Sequence, residues 1–323
     1  MEKENQTNEY MTREEIFKFL GLNEATYRKY LNDGILKPFK LTDSAKKFYF
    51  KRDEVEALFK PYLKSKRIAI VNQKGGVGKT TLTYNTLITL ANRGYKVLGV
   101  DLDPQANLTK AFLGQDVEVE RDKSALIIFE REKKDIREEY LISRARKDID
   151  IIPSNILLTD VETINSFDIW FKLKKYLDYI SESYDFIIID CPPSLGILVT
   201  NAFLAVEYVI VPMCPDFYSP LGTEQLIKKL KEMLEFNKFL KLLGIVINQK
   251  SNNNLSVQIA QQLKDRFKDE IFEIEITQNI KIKESPFFTK SVIEYDKSSQ
   301  GAEDYRNFVE ELLKKLKMEK KNG

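Results

Sequence analysis

The chain has 323 residues, enough for two domains or for one large domain beside a small one. Hydrophobic residues make up 43% and charged residues 31%, a balance that supports a sizeable core and excludes global disorder. With no histidine and only Cys191 and Cys214 as cysteines, the composition excludes histidine catalysis, a disulfide scaffold, a zinc finger and an iron–sulfur cluster held by this chain alone. No apolar run approaches the ~20 residues that span a membrane, and the N-terminus is polar and acidic, so we expect a cytoplasmic protein.

The positive charge of the chain is concentrated near its N-terminus. The net charge of the whole chain is only +2. Residues 26–52, in contrast, contain eight Lys or Arg residues against two Asp residues. Such an excess attracts a phosphate backbone, although most charge runs are simply solvated surface. The motif that contains these residues must therefore decide between the two interpretations.

The same region has the pattern of short helices followed by a basic hairpin. Thr12 and Glu15 have the spacing of a capping box that starts a first helix, and Gly21 ends that helix. We predict a second helix over residues 24–32. We also predict a short strand pair or wing over residues 41–50 and a third helix over residues 53–59. Two short helices joined by a tight glycine turn and followed by a basic wing are typical of a helix-turn-helix.

The segments TREEIFKFLGLNEATYRKYLNDGIL and KKFYFKRDEVEAL resemble the winged helix-turn-helix of the MerR type. The resemblance implies a DNA-binding domain over residues 1–60, because the basic residues fall on its second helix and wing. The alternative is a small helical cap that supports only dimerisation. The residues expected to contact DNA are Tyr27, Arg28, Lys29, Lys46 and Lys47.

A linker over residues 61–66 leads into a segment where short apolar strands alternate with longer helical stretches. This alternation predicts an α/β fold, a mostly parallel sheet with helices on both faces, in one domain over residues 67–317 followed by a basic tail over 318–323. The near-continuous apolar strands are typical of strands buried on both faces. The predicted strands are RIAIVN, KVLGVD, IDIIPS, DFIIID, EYVIVPM and KLLGIVIN, and the predicted helices cover residues 79–93, 169–183, 221–236 and 305–321.

A glycine-rich loop, QKGGVGKTT, follows the first of these strands and leads into a helix. Glycines let backbone N–H groups close around phosphate oxygens, and the start of the helix adds partial positive charge. Lys79 can reach the β- and γ-phosphates, and the Thr80 hydroxyl can bind Mg²⁺. The sequence therefore predicts a phosphate-binding loop (P-loop) of the kind found in P-loop nucleoside triphosphatases.

The loop departs from the common P-loop formula, because Gln73 stands where the first glycine would fall and Lys74 opens the loop. In this it resembles the deviant Walker A group, and NQKGGVGKTT resembles the ParA family of partition ATPases. The resemblance covers residues 67–317 and implies ATP and Mg²⁺ as cofactors. It also implies an ATP-sandwiched homodimer in which Lys74 reaches the partner's nucleotide. The residues implied to bind nucleotide are Lys74, Gly75, Gly76, Val77, Gly78, Lys79, Thr80, Thr81, Pro212 and Asn248, the last two near the adenine.

Two further motifs resemble those of the same family. In VLGVDLDPQANLT, the resemblance implies that Asp103 orients the attacking water and that Asp101 supports the switch region. FIIIDCPPSLG resembles a Walker B motif, with Asp190 expected in the magnesium shell beside Thr80. The expected catalytic residues are Lys74, Lys79 and Asp103.

The resemblance also implies non-specific DNA binding in the ATP-bound state through ITQNIKIKESPFFTKSVIEYDKSSQGAEDYRNF. Lys281 and Lys283 are two positions apart, so in an extended segment both would point toward the same phosphates. The chain departs from the family at Gln278 and at Lys281, where most relatives carry arginine. The alternative is an ordinary lysine-rich surface.

As a ParA relative, the protein is expected to act in plasmid or chromosome segregation. ATP would drive dimerisation, the dimer would bind nucleoid DNA, and a ParB-type partner would stimulate hydrolysis and release. The N-terminal domain would add operator binding and repression of its own operon, as in larger ParA types.

Two alternatives stay open, a MinD-like membrane-positioning ATPase and a transcription regulator switched by nucleotide. The C-terminal helix carries Phe308, Leu312 and Leu316 on one side and lysines around them. It either packs on the sheet, as the preceding GAEDY favours, or lies on a membrane surface.

Overall fold

The computed structural model describes residues 9–20, 24–40, 47–56, 65–164, 166–216 and 219–318. It divides the chain into two compact units, Met1–Ser65 and Lys66–Gly323. Each unit has its own buried apolar side chains.

The N-terminal unit combines a two-stranded sheet with short helices. Its elements are β1 (Tyr10–Thr12), α1 (Arg13–Leu20), α2 (Glu24–Asn32), β2 (Tyr49–Lys51) and a helix over residues 52–56, α3. β1 pairs antiparallel with β2, and Phe39 forms an antiparallel bridge with Tyr49. The predicted capping box is confirmed, because the backbone N–H of Thr12 donates to Glu15 (2.7 Å) and that of Glu15 to Thr12 Oγ1 (3.3 Å). The predicted wing falls partly on residues 41–46, outside the described residues.

The prediction that Tyr27 contacts DNA is wrong. Its side chain is buried, with its ring 5.0 Å from that of Phe17 and 6.2 Å from that of Phe50. Tyr27 and the equally buried Tyr30 are three positions apart, so they share the face of α2 that turns to the core. Tyr27 is therefore a packing residue of the N-terminal unit.

The larger unit is built on a seven-stranded sheet. Its strands are β3 (Lys66–Ile70), β4 (Val97–Asp101), β5 (Ser143–Arg146), β6 (Ile149–Ile152), β7 (Phe186–Asp190), β8 (Tyr208–Met213) and β9 (Lys241–Ile247). They lie in the order β5-β6-β4-β7-β3-β8-β9. β5 pairs antiparallel with β6, and the other described pairings in this sheet are parallel. The predicted mostly parallel sheet is confirmed, and β5 is an edge strand that the sequence analysis missed.

Helices cover both faces of this sheet. They are α4 (Lys79–Ala91), α5 (Asn107–Leu113), α6 (Leu126–Glu130), α7 (Glu138–Leu141), α8 (Lys172–Ile180), α9 (Ile197–Ala205), α10 (Ser219–Met233), α11 (Asn254–Phe267), α12 (Ile280–Glu284), α13 (Val292–Tyr295) and α14 (Gln300–Lys315). Alternate strand residues enter different cores, since Ile68 and Ile188 belong to one apolar cluster and Ala69 to the other. Burial on both faces explains the continuous apolar strands.

The C-terminal helix α14 packs against the body of the larger unit. Phe308 and Leu312 are fully buried in the cluster that also contains residues of α4. Glu310 of α14 forms an ion pair with Arg93, just beyond α4. Its apolar side is thus covered by protein, which supports packing over the membrane-surface alternative. No helix among the described residues is long and apolar enough to cross a bilayer.

The sheet brings the carboxyl ends of β3, β4 and β7 side by side. Asp190, the last residue of β7, lies opposite Asp101 of β4 and Ile70 of β3. In open α/β sheets ligands bind outside the carboxyl ends of the strands. The loops that leave these three strands therefore form the candidate site.

Candidate nucleotide-binding site

The loop between β3 and α4 is held open by glycine and clamped from β9. Gly76 and Gly78 have φ of 73° and 86°, a backbone region that favours glycine. A Cβ on Gly78 would clash with Asn248 Nδ2. Asn248 Nδ2 donates to the Val77 carbonyl, and Gln249 Nε2 donates to that of Gly76, each at 2.7 Å. Two side chains after β9 thus fix the loop that must receive the phosphates.

Asn72 fixes the other end of the loop and was missed by the sequence analysis. Its Nδ2 donates to the Pro212 carbonyl at 2.7 Å, and its Oδ1 accepts from the Lys74 N–H at 2.9 Å. The available signal was a polar residue at the end of a buried apolar run. Pro212 and Asn248, expected near the adenine, are both buried and line neither cavity described below. In this structure they shape the loop.

Lys79 lies under the loop at the start of α4. Its side chain is buried, and its Nζ donates to the Lys74 carbonyl at 3.3 Å. Burial lowers the pKa of Lys79, while the nearby Asp190 and Asp103 carboxylates act in the opposite direction. An anionic ligand in the loop would add favourable charge to this buried ammonium.

Thr80 and Asp190 meet as the expected magnesium pair. Thr80 Oγ1 donates to Asp190 Oδ2 at 2.7 Å. Burial, with Asp101 next in effect, raises the pKa of the fully buried Asp190 well above its usual range. Hydroxyl and carboxylate oxygens are the ligands that Mg²⁺ prefers, and Mg²⁺ is usually held by one or two carboxylates together with substrate phosphates. The Thr80 hydroxyl and the Asp190 carboxylate therefore fit magnesium that is shared with phosphate.

Asp101 organises the loop after β4, and Asp103 faces the ligand space. Asp101 accepts hydrogen bonds from the Asp103 N–H at 3.1 Å and from the N–H and hydroxyl of Thr109 at 2.8 and 2.7 Å. Burial raises the pKa of Asp101 to about 7. One oxygen of Asp103 accepts from the Gln105 N–H at 3.0 Å, and the residue lines the cavity beside the P-loop. Asp103 therefore stands where a carboxylate could orient a water.

A cavity of about 630 Å³ opens beside the P-loop, within the usual size range of small-molecule sites. Of the residues singled out in the sequence, it is lined by Gly75, Gly76, Gly78, Lys79, Thr80, Thr81 and Asp103. Its remaining lining residues are Tyr84, Asn107, Lys110, Ala111, Gln115, Pro193, Gln249, Pro286 and Phe287. The phosphate loop and the candidate water-orienting carboxylate thus share one space.

Lys74 faces a second, smaller space. It lines a cavity of about 370 Å³ together with Cys214 and Asp216. Its side chain is 35% exposed and its ammonium forms an ion pair with Asp216. Lys74 therefore lies outside the cavity of Lys79 and Asp103 within a single chain.

The expectation that Lys281 and Lys283 lie in an extended segment is wrong. Both belong to α12, where Asn279 caps the helix by accepting from the Lys281 N–H at 2.8 Å. Two positions correspond to a turn of about 200° in a helix, so the two side chains point to different sides. Lys281 pairs with Glu284 at 3.0 Å, whereas Lys283 is exposed.

The N-terminal basic residues lie on the surface of their own unit. Arg28 is exposed and pairs with Glu24 at 3.0 Å. Lys29 and Lys47 are exposed as well. Lys46 lies outside the described residues.

Comparisons with known proteins agree with this geometry. A family model described as an AAA domain matches residues 65–242. The sporulation initiation inhibitor protein Soj of Bacillus subtilis is 34% identical over 251 residues, which cover 76% of this chain and 98% of that protein. The chromosome partitioning protein ParA of Myxococcus xanthus is 34% identical over 253 residues, covering 77% of this chain and 88% of that protein.

Solved structures share the fold of the larger unit. A putative plasmid partition protein from Borrelia burgdorferi, bound to AMPPNP, matches with a TM-score of 0.67 and 26% identity over 78% of this chain and 100% of that chain. Cobyrinic acid a,c-diamide synthase from Mycobacterium smegmatis, with bound ADP and magnesium, matches with a TM-score of 0.65 and 27% identity over 80% of this chain and 98% of that chain.

Fold and site together define a P-loop nucleoside triphosphatase, with a strand–loop–helix phosphate site and acidic residues on the adjacent strands. Its cofactors are ATP and Mg²⁺, which the residues of the site fit. The chain belongs to the ParA family of P-loop ATPases.

Proposed function

We propose that this protein is a DNA partition ATPase that dimerises on ATP, binds nucleoid DNA as a dimer and is released when a ParB-type partner stimulates hydrolysis. The observation that carries the proposal is the P-loop opened by Lys74 and set beside Asp103 and Asp190. The names of the relatives support a role in partitioning.

In the proposed reaction the chain positions the triphosphate and the attacking water. Backbone N–H groups of the loop and the Lys79 ammonium bind the phosphate oxygens. Asp103 accepts a hydrogen bond from the attacking water and holds that water in line with the γ-phosphate. Asp101 fixes the loop that carries Asp103. Thr80 and Asp190 are the residues that would hold Mg²⁺, which would neutralise charge that develops on the phosphates.

Assembly is proposed to depend on Lys74. Its ion pair with Asp216 is half-exposed, and such pairs contribute little to stability, so the ammonium can be exchanged at low cost. In the ATP-bound dimer Lys74 would leave Asp216 and bind phosphate oxygens of the partner's nucleotide. ATP would then join two subunits, and its hydrolysis would separate them.

Two surfaces are proposed to bind DNA. The first lies around α12 and binds without sequence preference, through Lys283 and the equally exposed Lys290 and Lys297. The second is the N-terminal unit, where Arg28 and Lys29 on α2 would recognise an operator and allow repression of the operon.

The test is ATP-dependent DNA binding. Fluorescence anisotropy of a random-sequence duplex is measured with MgATP, with MgADP and without nucleotide, for the wild type and for Asp103→Ala. We expect tight binding with MgATP alone, and longer retention by Asp103→Ala because hydrolysis is needed for release. Equal binding without nucleotide would contradict the proposal.

Two further measurements separate the alternatives. The first measures binding to vesicles of anionic lipid, because a MinD-like protein would bind them with ATP and a partition ATPase would not. The second measures the rate of ATP hydrolysis, because a nucleotide-switched transcription regulator would bind its operator without needing rapid hydrolysis.

A further inference from the structure

We propose that Phe287 stacks on the adenine of bound ATP and is the base-binding residue of this site. The proposal rests on the proposed function, because it assumes that the P-loop cavity holds ATP. Phe287 would bind the base, whereas the P-loop motif accounts only for binding of the phosphates.

The lining of the cavity combines the P-loop and the start of α4 with a segment far away in the sequence. Thr81, in the first turn of α4, lines it beside the P-loop, and Tyr84 lines it one turn further along the same helix. Pro286 and Phe287, far away in the sequence, belong to the same lining. If the P-loop holds the phosphates, the base of the same ligand would occupy the part of this space that the P-loop does not line, where Pro286 and Phe287 form the wall.

Phe287 is the aromatic side chain of this wall that is free to receive a base. It is 83% exposed, whereas Tyr84 is 2% exposed and packs edge-on against Phe112 with ring centroids 4.7 Å apart. The adjacent Phe288 already stacks on Tyr295, with centroids 5.2 Å apart and an interplanar angle of 18°. A large exposed aromatic surface on a cavity wall gains free energy when a flat π-system covers it.

The segment that carries Phe287 is tied to the helix of the P-loop. Arg146 Nη2 donates to the Tyr84 hydroxyl at 2.9 Å and to the Thr289 carbonyl at 2.8 Å. The Asn85 side-chain oxygen of α4 accepts from the Val292 N–H at 3.0 Å. These contacts tie the segment that follows Phe287 to α4 before any ligand arrives, which lowers the ordering cost of stacking.

Pro212 and Asn248, which the family resemblance places near the adenine, contact other parts of the protein in this structure. Asn248 is buried, and its side chain donates to the P-loop backbone. Pro212 is buried in β8, and its carbonyl accepts from Asn72. Neither lines the cavity. Phe287 therefore fills a role that these residues do not perform in this structure.

The experiment compares ligands with and without a base, using the full chain. Isothermal titration calorimetry gives the affinities of MgATP and of Mg-tripolyphosphate for the wild type, Phe287→Ala, Phe287→Trp and the matched control Phe288→Ala. For Phe287→Ala we expect MgATP affinity to fall about tenfold, within the range measured for base–aromatic stacking, with tripolyphosphate affinity unchanged. Phe287→Trp should keep wild-type affinity for MgATP, and Phe288→Ala should stay within about twofold of it.

A spectroscopic signal adds a direct readout. The wild type contains a single tryptophan, Trp170, so the difference between Phe287→Trp and the wild type reports on position 287. MgATP should quench this difference fluorescence, and tripolyphosphate should not. Unchanged ATP affinity in Phe287→Ala, or an equal loss for both ligands, would overturn the proposal while the ATP site stands. Failure of the wild type to bind MgATP would overturn the proposed function together with it.

Discussion

At the scale of single residues, the site depends on buried side chains that touch backbone as often as they touch one another. Asn72, Asn248 and Gln249 donate to carbonyls, and the first two are buried. Burying an amide without a partner is costly, so the bonds of Asn72 and Asn248 hold the loop in one conformation. The open loop, and not the lysine alone, is therefore what receives the phosphates.

Lys79→Ala should weaken MgATP binding by at least about 100-fold, because charge-assisted hydrogen bonds each contribute ~1.5–3 kcal/mol and this ammonium can make more than one. Calorimetric titration measures the loss. Lys134→Ala, which removes an exposed lysine outside the cavity, is the control and should bind as the wild type does. Normal affinity in Lys79→Ala would contradict the P-loop assignment.

Lys74→Ala should separate nucleotide binding from assembly. Lys74 lies outside the main cavity of its own chain. The affinity of the monomer for MgATP should therefore stay within about threefold of the wild-type value. Dimer formation and turnover should both fall, because the proposed contact between Lys74 and the partner's phosphates is lost. Light scattering with MgATP measures the dimer, and an undiminished dimer would count against the sandwich arrangement.

At the scale of elements, the helix α12 places Lys281 and Lys283 on different sides, although their spacing suggests a shared face. The spacing of Lys281 and Lys283 suits a strand, but Asn279 caps a helix there. A side chain that accepts from a backbone N–H two positions ahead starts such a turn locally. Lys281 then pairs with Glu284, with its ammonium 5.6 Å from the centre of the Tyr295 ring, and Lys283 is the more exposed of the two.

Lys283→Glu should therefore weaken non-specific DNA binding more than Lys281→Glu does. Each phosphate contact that is lost removes ~0.9 from the slope of log K against log salt, so Lys283→Glu should flatten the slope by about one. The exposed Gln278 allows the reverse test, and Gln278→Arg should steepen it. Anisotropy titrations in MgATP over a salt series measure all three variants. If none of them moves the slope, this surface does not contact DNA.

At the scale of the whole molecule, strand order assembles the site from distant segments. Asp101 and Asp190 are neighbours because β4 and β7 pair in register, and β3 delivers the loop to the same edge. The same burial that keeps the sheet together encloses charged groups. Glu207, just before β8, is buried and accepts from the Arg67 N–H at 3.0 Å.

Glu207 should make the protein less stable as pH rises. Burial raises the pKa of Glu207 to about 7, so between its unfolded value near 4.5 and 7 the folded state binds more protons than the unfolded state. Its contribution to the free energy of unfolding therefore falls through this window and stays low above it. Glu207→Gln should remove this decrease in the free energy of unfolding and stabilise the protein at pH 8 by up to about 3 kcal/mol.

Denaturant unfolding at pH 5 and pH 8 measures the free energy of unfolding of Glu207→Gln, and the exposed Glu235→Gln is the control. If stability depends on pH in Glu207→Gln as it does in the wild type, the role of Glu207 is contradicted.

The amino-acid sequence by itself determined the mostly parallel sheet, the capping box at Thr12 and the chemistry of the P-loop. These follow from local rules, since strand burial, helix capping and glycine freedom are written in neighbouring residues. Only the tertiary structure decided that Tyr27 packs inward, that Asn248 clamps the loop and that Phe287 lines the ligand cavity. These features join residues far apart in the sequence. Their partners are chosen by strand order and by the burial of polar groups, which no local spacing encodes.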